Sequence, residues 1–272
     1  MRILCLGDVV GQPGRFALQS ELKNIIRDEK IDFVIANGEN VAGGAGLTSR
    51  LSRQCLEAGC DVLTLGDHAW DQKEIEEYLK ITHQVIRPAN FPDDTPGKGW
   101  CIKETKSGVK VGVISLLGRV FIRYYVDCPF RKLKSIISEI KKQTSIIIVD
   151  LHAEATSEKI AFGHFADGEV SAVLGTHTHV QTADEAVLPK GTAYITDLGM
   201  TGPHDSVIGQ EKQNIIDRFV MTMPVRFYVA KKDIRLSGVI VDVDEKSGKA
   251  RKIERFQKKA PDLPEGENNG HE

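Results

Sequence analysis

Short apolar runs alternate with amphipathic segments along the first third of the chain. The apolar runs have the length of buried strands and are Arg2–Gly7, Asp32–Asn37 and Asp61–Leu65. Each is followed by a segment in which apolar residues recur at helical spacing, and these segments are Pro13–Glu29, Thr48–Ala58 and Asp71–Leu79. This alternation predicts a parallel, doubly wound α/β core.

Residues at the predicted helix starts support these assignments. Pro13 suits a first helical turn, because the N–H that proline lacks has no helical partner there. Thr48 or Ser49 can cap the second helix with its hydroxyl group. Asp71 is placed to cap the third helix with its carboxylate.

The pattern changes in the middle of the chain. Asn90–Trp100 is rich in Pro, Gly and Asp and predicts a loop. Cys101–Thr105 and Val109–Leu116 flank a Ser107-Gly108 turn and predict a β-hairpin. Gly118–Pro129 carries several aromatic residues without a clear period. It can be an interface, a lid over a site or part of the core, and we assign no element there.

The α/β order returns in the second half, and strands follow towards the end. Helices are predicted at Phe130–Lys142 and Thr156–Phe165. Strands are predicted at Ser145–Leu151, Val170–Leu174, Gly191–Thr196, Val225–Ala230, Ile234–Asp242 and Lys252–Phe256.

Composition narrows the class of protein. The chain has 272 residues, of which 41% are hydrophobic, and this is enough for a sizeable core. Since no repeat or linker interrupts the pattern, we predict one domain over residues 1–257. The polar stretch Lys258–Glu272 is rich in Pro and Gly and predicts a disordered tail.

Charge and cysteine usage indicate the setting. The formal net charge is -2 without blocks of like charge, so no binding of duplex nucleic acid is expected. The chain has five cysteines and no CxxC pair, which favours a reducing cytoplasm. We see no signal-peptide pattern, and no apolar run is long enough to span a membrane. Assembly into a homo-oligomer stays open.

Ionisable side chains and an asparagine collect where five predicted strands stop. They are Asp8, the pair Glu39-Asn40, the pair Asp67-His68, His152, and the pair His177 and His179 in GTHTHV. Parallel sheets bind ligands outside the carboxyl ends of their strands. These distant positions are therefore expected to converge in space.

The residue types indicate a metal site. His177 and His179 are two residues apart, so in an extended segment they point to one side. With His152 they offer three imidazoles, while Asp8, Glu39 and either Asp67 or Asn40 offer oxygen ligands. This is more than one tetrahedral zinc needs and suits two metals, a recurring device for phosphoester hydrolysis.

Each feature has a plainer interpretation when taken alone. Asp8 after a strand is more often a cap, and a lone His152 is usually a satisfied hydrogen-bonding group. Glu39-Asn40 lies in a glycine-rich loop that can be a turn or a phosphate cradle. The convergence of all of them, rather than any single motif, favours metal.

At these residues the chain resembles the YmdB-like metallophosphoesterases, a family of bacterial 2',3'-cyclic-nucleotide phosphodiesterases. The resemblance extends from near residue 5 to near residue 230. It rests on the stretches GDVVGQPGR, ANGENVAGGAG, LGDHAWD, RPANFP, DLHAEATSEK, GTHTHVQTADE and ITDLGMTGPHDSVIG.

The resemblance implies a four-layer α/β/β/α sandwich with two central sheets and a dinuclear metal centre. The implied ligands of the first metal are Asp8, Asn40 and His179. The implied ligands of the second are Asp67, His152 and His177. Glu39 would bridge the two metals, and His68 would be the general acid rather than a ligand.

One position departs from the pattern. The family usually has Gly-Asn-His where this chain has Gly66-Asp67-His68. Two divalent ions would bring a charge of +4, and the carboxylates of Asp8, Glu39 and Asp67 bring -3. With an asparagine at position 67, the carboxylates would bring only -2. The extra negative charge should hold metal more tightly and attract an anionic phosphate less.

These expectations combine into one function. A metal-dependent phosphoric diester hydrolase would open 2',3'-cyclic nucleotides to 3'-monophosphates by in-line attack of a metal hydroxide, with His68 protonating the leaving group. Iron or manganese is favoured, with zinc or magnesium as alternatives. Substrate-binding residues are not identified. The alternatives are a broader phosphatase or nucleotidase on the same centre, or a weakly active regulatory protein with a metal site.

Overall fold

The computed structural model describes residues 1–264, which form strands and helices in close alternation. The strands are β1 Arg2–Leu6, β2 Asp8–Val9, β3 Phe33–Asn37, β4 Val62–Thr64, β5 Val85–Ile86, β6 Trp100–Glu104, β7 Lys110–Leu117, β8 Ile147–His152, β9 Ala172–Thr176, β10 Ala186–Val187, β11 Ala193–Ile195, β12 Met200–Pro203, β13 Ile234–Val243 and β14 Ala250–Lys259. The helices are α1 Gly11–Asp28, α2 Ser49–Ala58, α3 Ile75–Ile81, α4 Pro129–Ile140, α5 Thr156–Ala166 and α6 Lys212–Met221.

The strands form two sheets. The eight-stranded sheet has the order β2-β12-β13-β1-β3-β4-β5, with β14 paired to β13. Within it β1, β3, β4 and β5 are parallel, and β13 is antiparallel to β1. The six-stranded sheet has the order β10-β11-β9-β8-β7-β6, with β7, β8, β9 and β11 parallel.

Alternation along the strands divides the core into three apolar layers. Leu4 and Leu6 of β1 pack with residues of α1, α2 and α3 on the outer face of the first sheet. Ile3 and Cys5 point the other way, into a layer shared with the second sheet. On the far face of the second sheet, residues of β7 and β8 pack against α4 and α5. The four-layer α/β/β/α sandwich is therefore confirmed.

The doubly wound arrangement predicted from the first third of the chain is wrong. The parallel order β1-β3-β4 is present, but α1, α2 and α3 all contribute to the same outer layer. The opposite face is covered by the second sheet instead of by helices. A strand that is buried on both faces has the same apolar pattern whether helices or another sheet covers it, so the pattern alone did not separate these cases.

Two predicted elements differ from the structure. Helix α3 begins at Ile75 with Glu74 at its N-cap position, so Asp71 lies outside the helix and does not cap it. Val225–Ala230 is not a strand, although Val229 forms an isolated bridge with Gln210. Helix α6 was not predicted because its apolar side chains do not form a buried stripe, and Ile215 is its buried residue.

Other predicted elements are confirmed with small shifts of their ends. Strands β6 and β7 form the expected antiparallel hairpin. Thr48 caps α2, since its hydroxyl accepts a hydrogen bond from the Leu51 N–H at 3.2 Å. Of the tail predicted from Lys258, the first two residues belong to β14 and Ala260 is buried, while residues 265–272 lie outside the described part of the chain. Within residues 1–264, no helix combines the length and apolar composition that a membrane crossing requires.

Candidate metal centre

The eight predicted site residues share one kind of position, the carboxyl end of a strand. They follow or end β1 (Asp8), β3 (Glu39, Asn40), β4 (Asp67, His68), β8 (His152) and β9 (His177, His179). Since both sheets present these ends at the same side of the molecule, the structure brings side chains from both sheets together.

One group of side chains is compact enough to hold a metal ion. Glu39, Asp67, His152 and His177 each offer one ligand atom, and these atoms lie within 4.8 Å of one another. The His152 Nε2 atom lies 2.9 Å from Glu39 Oε1 and 3.1 Å from Asp67 Oδ1. The His177 Nδ1 atom lies 3.3 Å from the same Asp67 oxygen.

A second group lies beside the first. Asn40 Nδ2 lies 3.3 Å from Asp8 Oδ1 and 3.2 Å from His179 Nε2. His179 Nε2 is 3.6 Å from the same Asp8 oxygen. Asn40 Nδ2 is also 3.4 Å from Glu39 Oε1, so Glu39 contacts members of both groups. Because a side-chain amide can be turned over, the Asn40 oxygen can occupy the position of its nitrogen.

The donor set fits bound metal. His177 Nδ1 and His152 Nε2 face each other at 2.9 Å, and both nitrogens also face Asp67. Two ring nitrogens and carboxylate oxygens that converge on one small space are the mixed ligands that iron, manganese and zinc accept. The geometry of the residues is therefore compatible with the metal centre that the motifs predict.

Electrostatics at the site favour positive charge. Burial raises the pKa of Asp8, but the hydrogen bond and charge of His179 outweigh it and hold that pKa below its ordinary value. Burial likewise opposes a low pKa for Asp67, and contacts with His152 and His177 still lower it. For His152, burial lowers the pKa, while the charge of Glu39 raises it well above its ordinary value. The Asp8 and Asp67 carboxylates thus stay ionised and attract positive charge.

A buried network orients the His152 ring. Its Nδ1 lies 2.9 Å from the Thr176 hydroxyl, which donates to Asp150 Oδ1 at 2.7 Å. The Asp150 carboxylate also accepts from Asn37 Nδ2 at 3.2 Å and from the Thr64 hydroxyl. Burial raises the pKa of Asp150 to about 6, against the lowering effect of His152. Hydrogen-bond partners of this kind fix the orientation of a histidine ring, and here they leave Nε2 of His152 facing Glu39 and Asp67.

The segment that carries His177 and His179 is not extended, although the sequence pattern predicted that it is. Both residues have positive φ, 104° and 65°, which is uncommon for non-glycine residues. Asp197 holds this turn by accepting from the Thr178 N–H at 3.1 Å. Asp197 is itself paired with Lys159 at 2.7 Å, and both side chains are buried. The strained turn, supported in this way, aims both imidazoles at the site.

His68 lies at the rim of the site, where its side chain is 31% exposed. Its backbone N–H donates to Glu39 Oε2 at 3.0 Å, which ties the residue to the cluster. Its ring Nδ1 lies 2.7 Å from Asp71 Oδ2, so Nε2 is left for other partners. Asp71 therefore contacts the predicted proton donor instead of capping α3.

Three further residues lie around the site: Asp71, which the sequence pattern predicts to be a helix cap, and Arg123 and Glu154, to which it assigns no role. Asp71 contacts His68, and its position three residues after His68 was the only signal. Arg123, from the unassigned Gly118–Pro129 segment, donates to the Asp67 carbonyl and to Asp71 Oδ1, both at 2.7 Å. Glu154 Oε2 lies 3.1 Å from His177 Nε2 and so holds the outer side of that ring. No local pattern marks Arg123, because its partners are more than fifty residues away.

Comparisons with known proteins agree with the geometry. The model of the YmdB-like protein family matches residues 4–256. The chain is 49% identical over 256 residues to the 2',3'-cyclic-nucleotide 2'-phosphodiesterase of Bacillus subtilis (strain 168), covering 94% of this chain and 96% of that protein.

Two solved structures share the fold. A hypothetical protein from Thermus thermophilus superposes with a TM-score of 0.89 at 42% identity, covering 96% of this chain and 100% of that chain. A novel phosphatase from Mycoplasma pneumoniae superposes with a TM-score of 0.89 at 36% identity, covering 96% and 94%. On these matches, which extend over nearly its whole length, the chain belongs to the YmdB-like family of metallophosphoesterase hydrolases.

Proposed function

We propose that the protein hydrolyses 2',3'-cyclic nucleotides to 3'-monophosphates at a centre of two metal ions. The observation that carries this proposal is the convergence of ligand-type side chains from both sheets beside the partly exposed ring of His68. The Bacillus subtilis relative, which is named as a phosphodiesterase of this substrate class, supports it.

The two groups of side chains divide the ligands between two metals. Asp67, His152 and His177 would hold one ion, and Asp8, Asn40 and His179 would hold the other. Glu39 contacts members of both groups and would bridge the ions. Iron or manganese suits this mixture of nitrogen and oxygen ligands best, with zinc or magnesium as alternatives. When bound, the metals supply Lewis acidity, which lowers the pKa of water and neutralises charge on the phosphate.

His68 supplies the proton that the reaction needs. In the hydrolysis a water molecule loses a proton to solvent as its oxygen bonds to phosphorus, and the bond from phosphorus to the 2'-oxygen breaks. A proton on His68 Nε2 passes to this departing oxygen, which would otherwise leave as an unstable alkoxide. Asp71 Oδ2, 2.7 Å from Nδ1, fixes the orientation of the ring, so that Nε2 would face the substrate.

A phosphatase acting on monophosphates is the second candidate. Its support is the Mycoplasma pneumoniae protein, which has the same fold and is described as a phosphatase. The same side chains could serve either reaction, because the two differ in the group attached to phosphorus and not in the attack on it.

Product identification distinguishes the two candidates. The purified protein, with its metal content measured by atomic emission, is incubated with 2',3'-cyclic AMP, 2'-AMP, 3'-AMP and bis(p-nitrophenyl) phosphate. We expect 3'-AMP from the cyclic nucleotide without inorganic phosphate. Release of inorganic phosphate from either monophosphate would favour the phosphatase. Formation of 2'-AMP from the cyclic substrate would contradict the role given to the 2'-oxygen.

Asp67→Asn tests the extra charge at the centre. The Asp67 carboxylate touches two imidazoles, and an amide keeps its shape while removing one negative charge. We expect weaker metal binding, by about tenfold, and tighter binding of phosphate, because the centre becomes more positive. Both are measured by titration calorimetry. The control of equal charge change is Asp93→Asn, because Asp93 is an exposed carboxylate that pairs with Lys132. Unchanged affinities for both ligands would contradict the charge argument.

A further inference from the structure

The Gly118–Pro129 segment crosses from one sheet to the turn that carries His68. It follows β7 of the six-stranded sheet, whereas Asp67 and His68 follow β4 of the eight-stranded sheet. Its residue Arg123 donates from a single nitrogen, Nη2, to both the Asp67 carbonyl and Asp71 Oδ1, at 2.7 Å each. The guanidinium thus links the backbone of Asp67, which precedes His68, to the carboxylate of Asp71, which contacts the His68 ring.

The His68 turn is tied to Glu39 through the His68 N–H, and Arg123 adds a second tie at Asp67 and Asp71. Its own backbone hydrogen bonds are long, at 3.3 Å from the Ala69 N–H to the Gly66 carbonyl and 3.2 Å from the Asp71 N–H to the His68 carbonyl. Asp71 lies outside α3, so no helix fixes its side chain. The two charge-assisted bonds from Arg123 are shorter, and such bonds are the stronger class.

The structure also holds Arg123 in place. Its guanidinium lies over the Tyr124 ring at 5.0 Å. Tyr124 packs edge-on against Phe91, and Phe91 packs edge-on against Trp70, with ring centroids 5.3 and 5.6 Å apart. Tyr124 follows Arg123 and Trp70 precedes Asp71, so this row of aromatic rings connects the neighbours of the two residues that form the ion pair.

The start of the segment is anchored separately. The Glu158 carboxylate of α5 accepts hydrogen bonds from the Arg119 N–H at 3.0 and 3.1 Å and from the Val120 N–H at 3.2 Å. Arg123 is therefore carried on a segment that is tied at its beginning to α5 and in its middle to the aromatic row.

We propose that Arg123 is a positioning residue for proton transfer. It locks Asp71 so that one carboxylate oxygen faces the guanidinium and the other holds Nδ1 of His68, and Nε2 then faces the leaving group. This inference rests on the proposed role of His68 as the proton donor. It predicts a selective effect, because only a leaving group that needs a proton depends on the orientation of that ring.

The test compares two leaving groups in Arg123→Gln. The 2'-oxygen of 2',3'-cyclic AMP needs protonation, whereas p-nitrophenolate, from bis(p-nitrophenyl) phosphate, is stable without it. We expect kcat for the cyclic nucleotide to fall by about 10- to 100-fold with little change in KM, and the rate with the aryl ester to stay within about twofold. Arg119→Gln, an exposed arginine in the same segment, is the matched control and should behave as wild type on both substrates.

Two further variants sharpen the result. In a His68→Ala background, Arg123→Gln should cause no additional loss, because its effect passes through that ring. Arg123→Lys should lose nearly as much as Arg123→Gln, since the lysine ammonium ends one bond short of the position of Nη2 and lacks the planar group that lies over Tyr124. A raised KM with equal losses on both substrates would overturn the proposal in favour of direct phosphate binding. Additive losses in the His68→Ala background, or a wild-type rate for Arg123→Lys, would also overturn it.

A spectroscopic measurement separates this inference from the proposed function. In the zinc-loaded protein, nitrogen NMR of the imidazoles reports which nitrogen of His68 carries hydrogen. We expect Arg123→Gln to shift the Nδ1 signal of His68, while Arg119→Gln leaves it unchanged. A shifted signal in a protein that does not open 2',3'-cyclic AMP would leave the positioning role intact and reject the substrate. An unchanged signal in an active protein would reject the positioning role alone.

Discussion

Glu39→Gln is expected to lower both metal content and hydrolysis more than any other near-isosteric change in this protein. The Glu39 side chain is 1% exposed and contacts both groups of ligand-type side chains. Its Oε2 also accepts the His68 N–H at 3.0 Å. An amide removes a charge and places an NH₂ group against either that N–H or the His152 ring. With several kcal/mol of charge stabilisation lost, the rate should fall on the order of 10³-fold.

The measurement pairs metal analysis after dialysis with the rate of 2',3'-cyclic AMP hydrolysis. Glu139→Gln is the matched control, because Glu139 is exposed on α4 and pairs with Lys142 away from the site. It should retain the metal content and the rate of the wild type. Wild-type metal content and wild-type rate in Glu39→Gln would remove Glu39 from the centre and refute the bridging role.

His68→Ala is expected to give the second large loss, and this loss should depend on the substrate. General acid catalysis contributes about 10²- to 10⁴-fold, so the rate with 2',3'-cyclic AMP should fall within that range. The rate with bis(p-nitrophenyl) phosphate should change little, because its leaving group does not need a proton. Metal content should not change, since the ring of His68 contacts Asp71 and its backbone N–H, which alanine retains, contacts Glu39.

The control for His68→Ala is the same substitution at a distant, exposed histidine. His83 lies between α3 and β5 and is exposed. His83→Ala should match the wild type on both substrates. Near-normal turnover of 2',3'-cyclic AMP by His68→Ala would exclude His68 as the acid, and loss of metal would instead make it a ligand.

Much of the site could be predicted because the rule behind it is local. A parallel strand that stops at a polar residue places that residue at one edge of the sheet. Asp8, Glu39 and Asp67 follow from this rule and from the apolar runs before them. The structure brings Glu39 and Asp67 together at His152, and Asp8 joins them through Asn40. The order β1-β3-β4 follows from the alternation of strand and helix in the same way.

The remaining parts depend on contacts between distant segments. Arg123 reaches Asp71 across 52 positions, from a segment without a period, so no window of sequence contains both partners. Asp71 was expected to be a cap because it precedes apolar residues at helical spacing, yet the chain makes further turns before α3 begins at Ile75. The turn in which His177 and His179 have positive φ angles is held at Thr178 by Asp197, whose buried partner is Lys159.

The distribution of the site side chains over two sheets has a consequence for the stability of the protein. Asp8, Glu39 and Asp67 are carried by strands of one sheet or the turns that follow them, while His152 and His177 are carried in the same way by the other sheet. A metal ion held by both sets is a cross-link between the two halves of the fold, and the sheets cannot separate without releasing it. At a concentration one hundred times its dissociation constant, such a ligand adds about 2.7 kcal/mol to the free energy of unfolding. Metal supply would then govern the resistance of the chain to proteolysis, independently of any substrate.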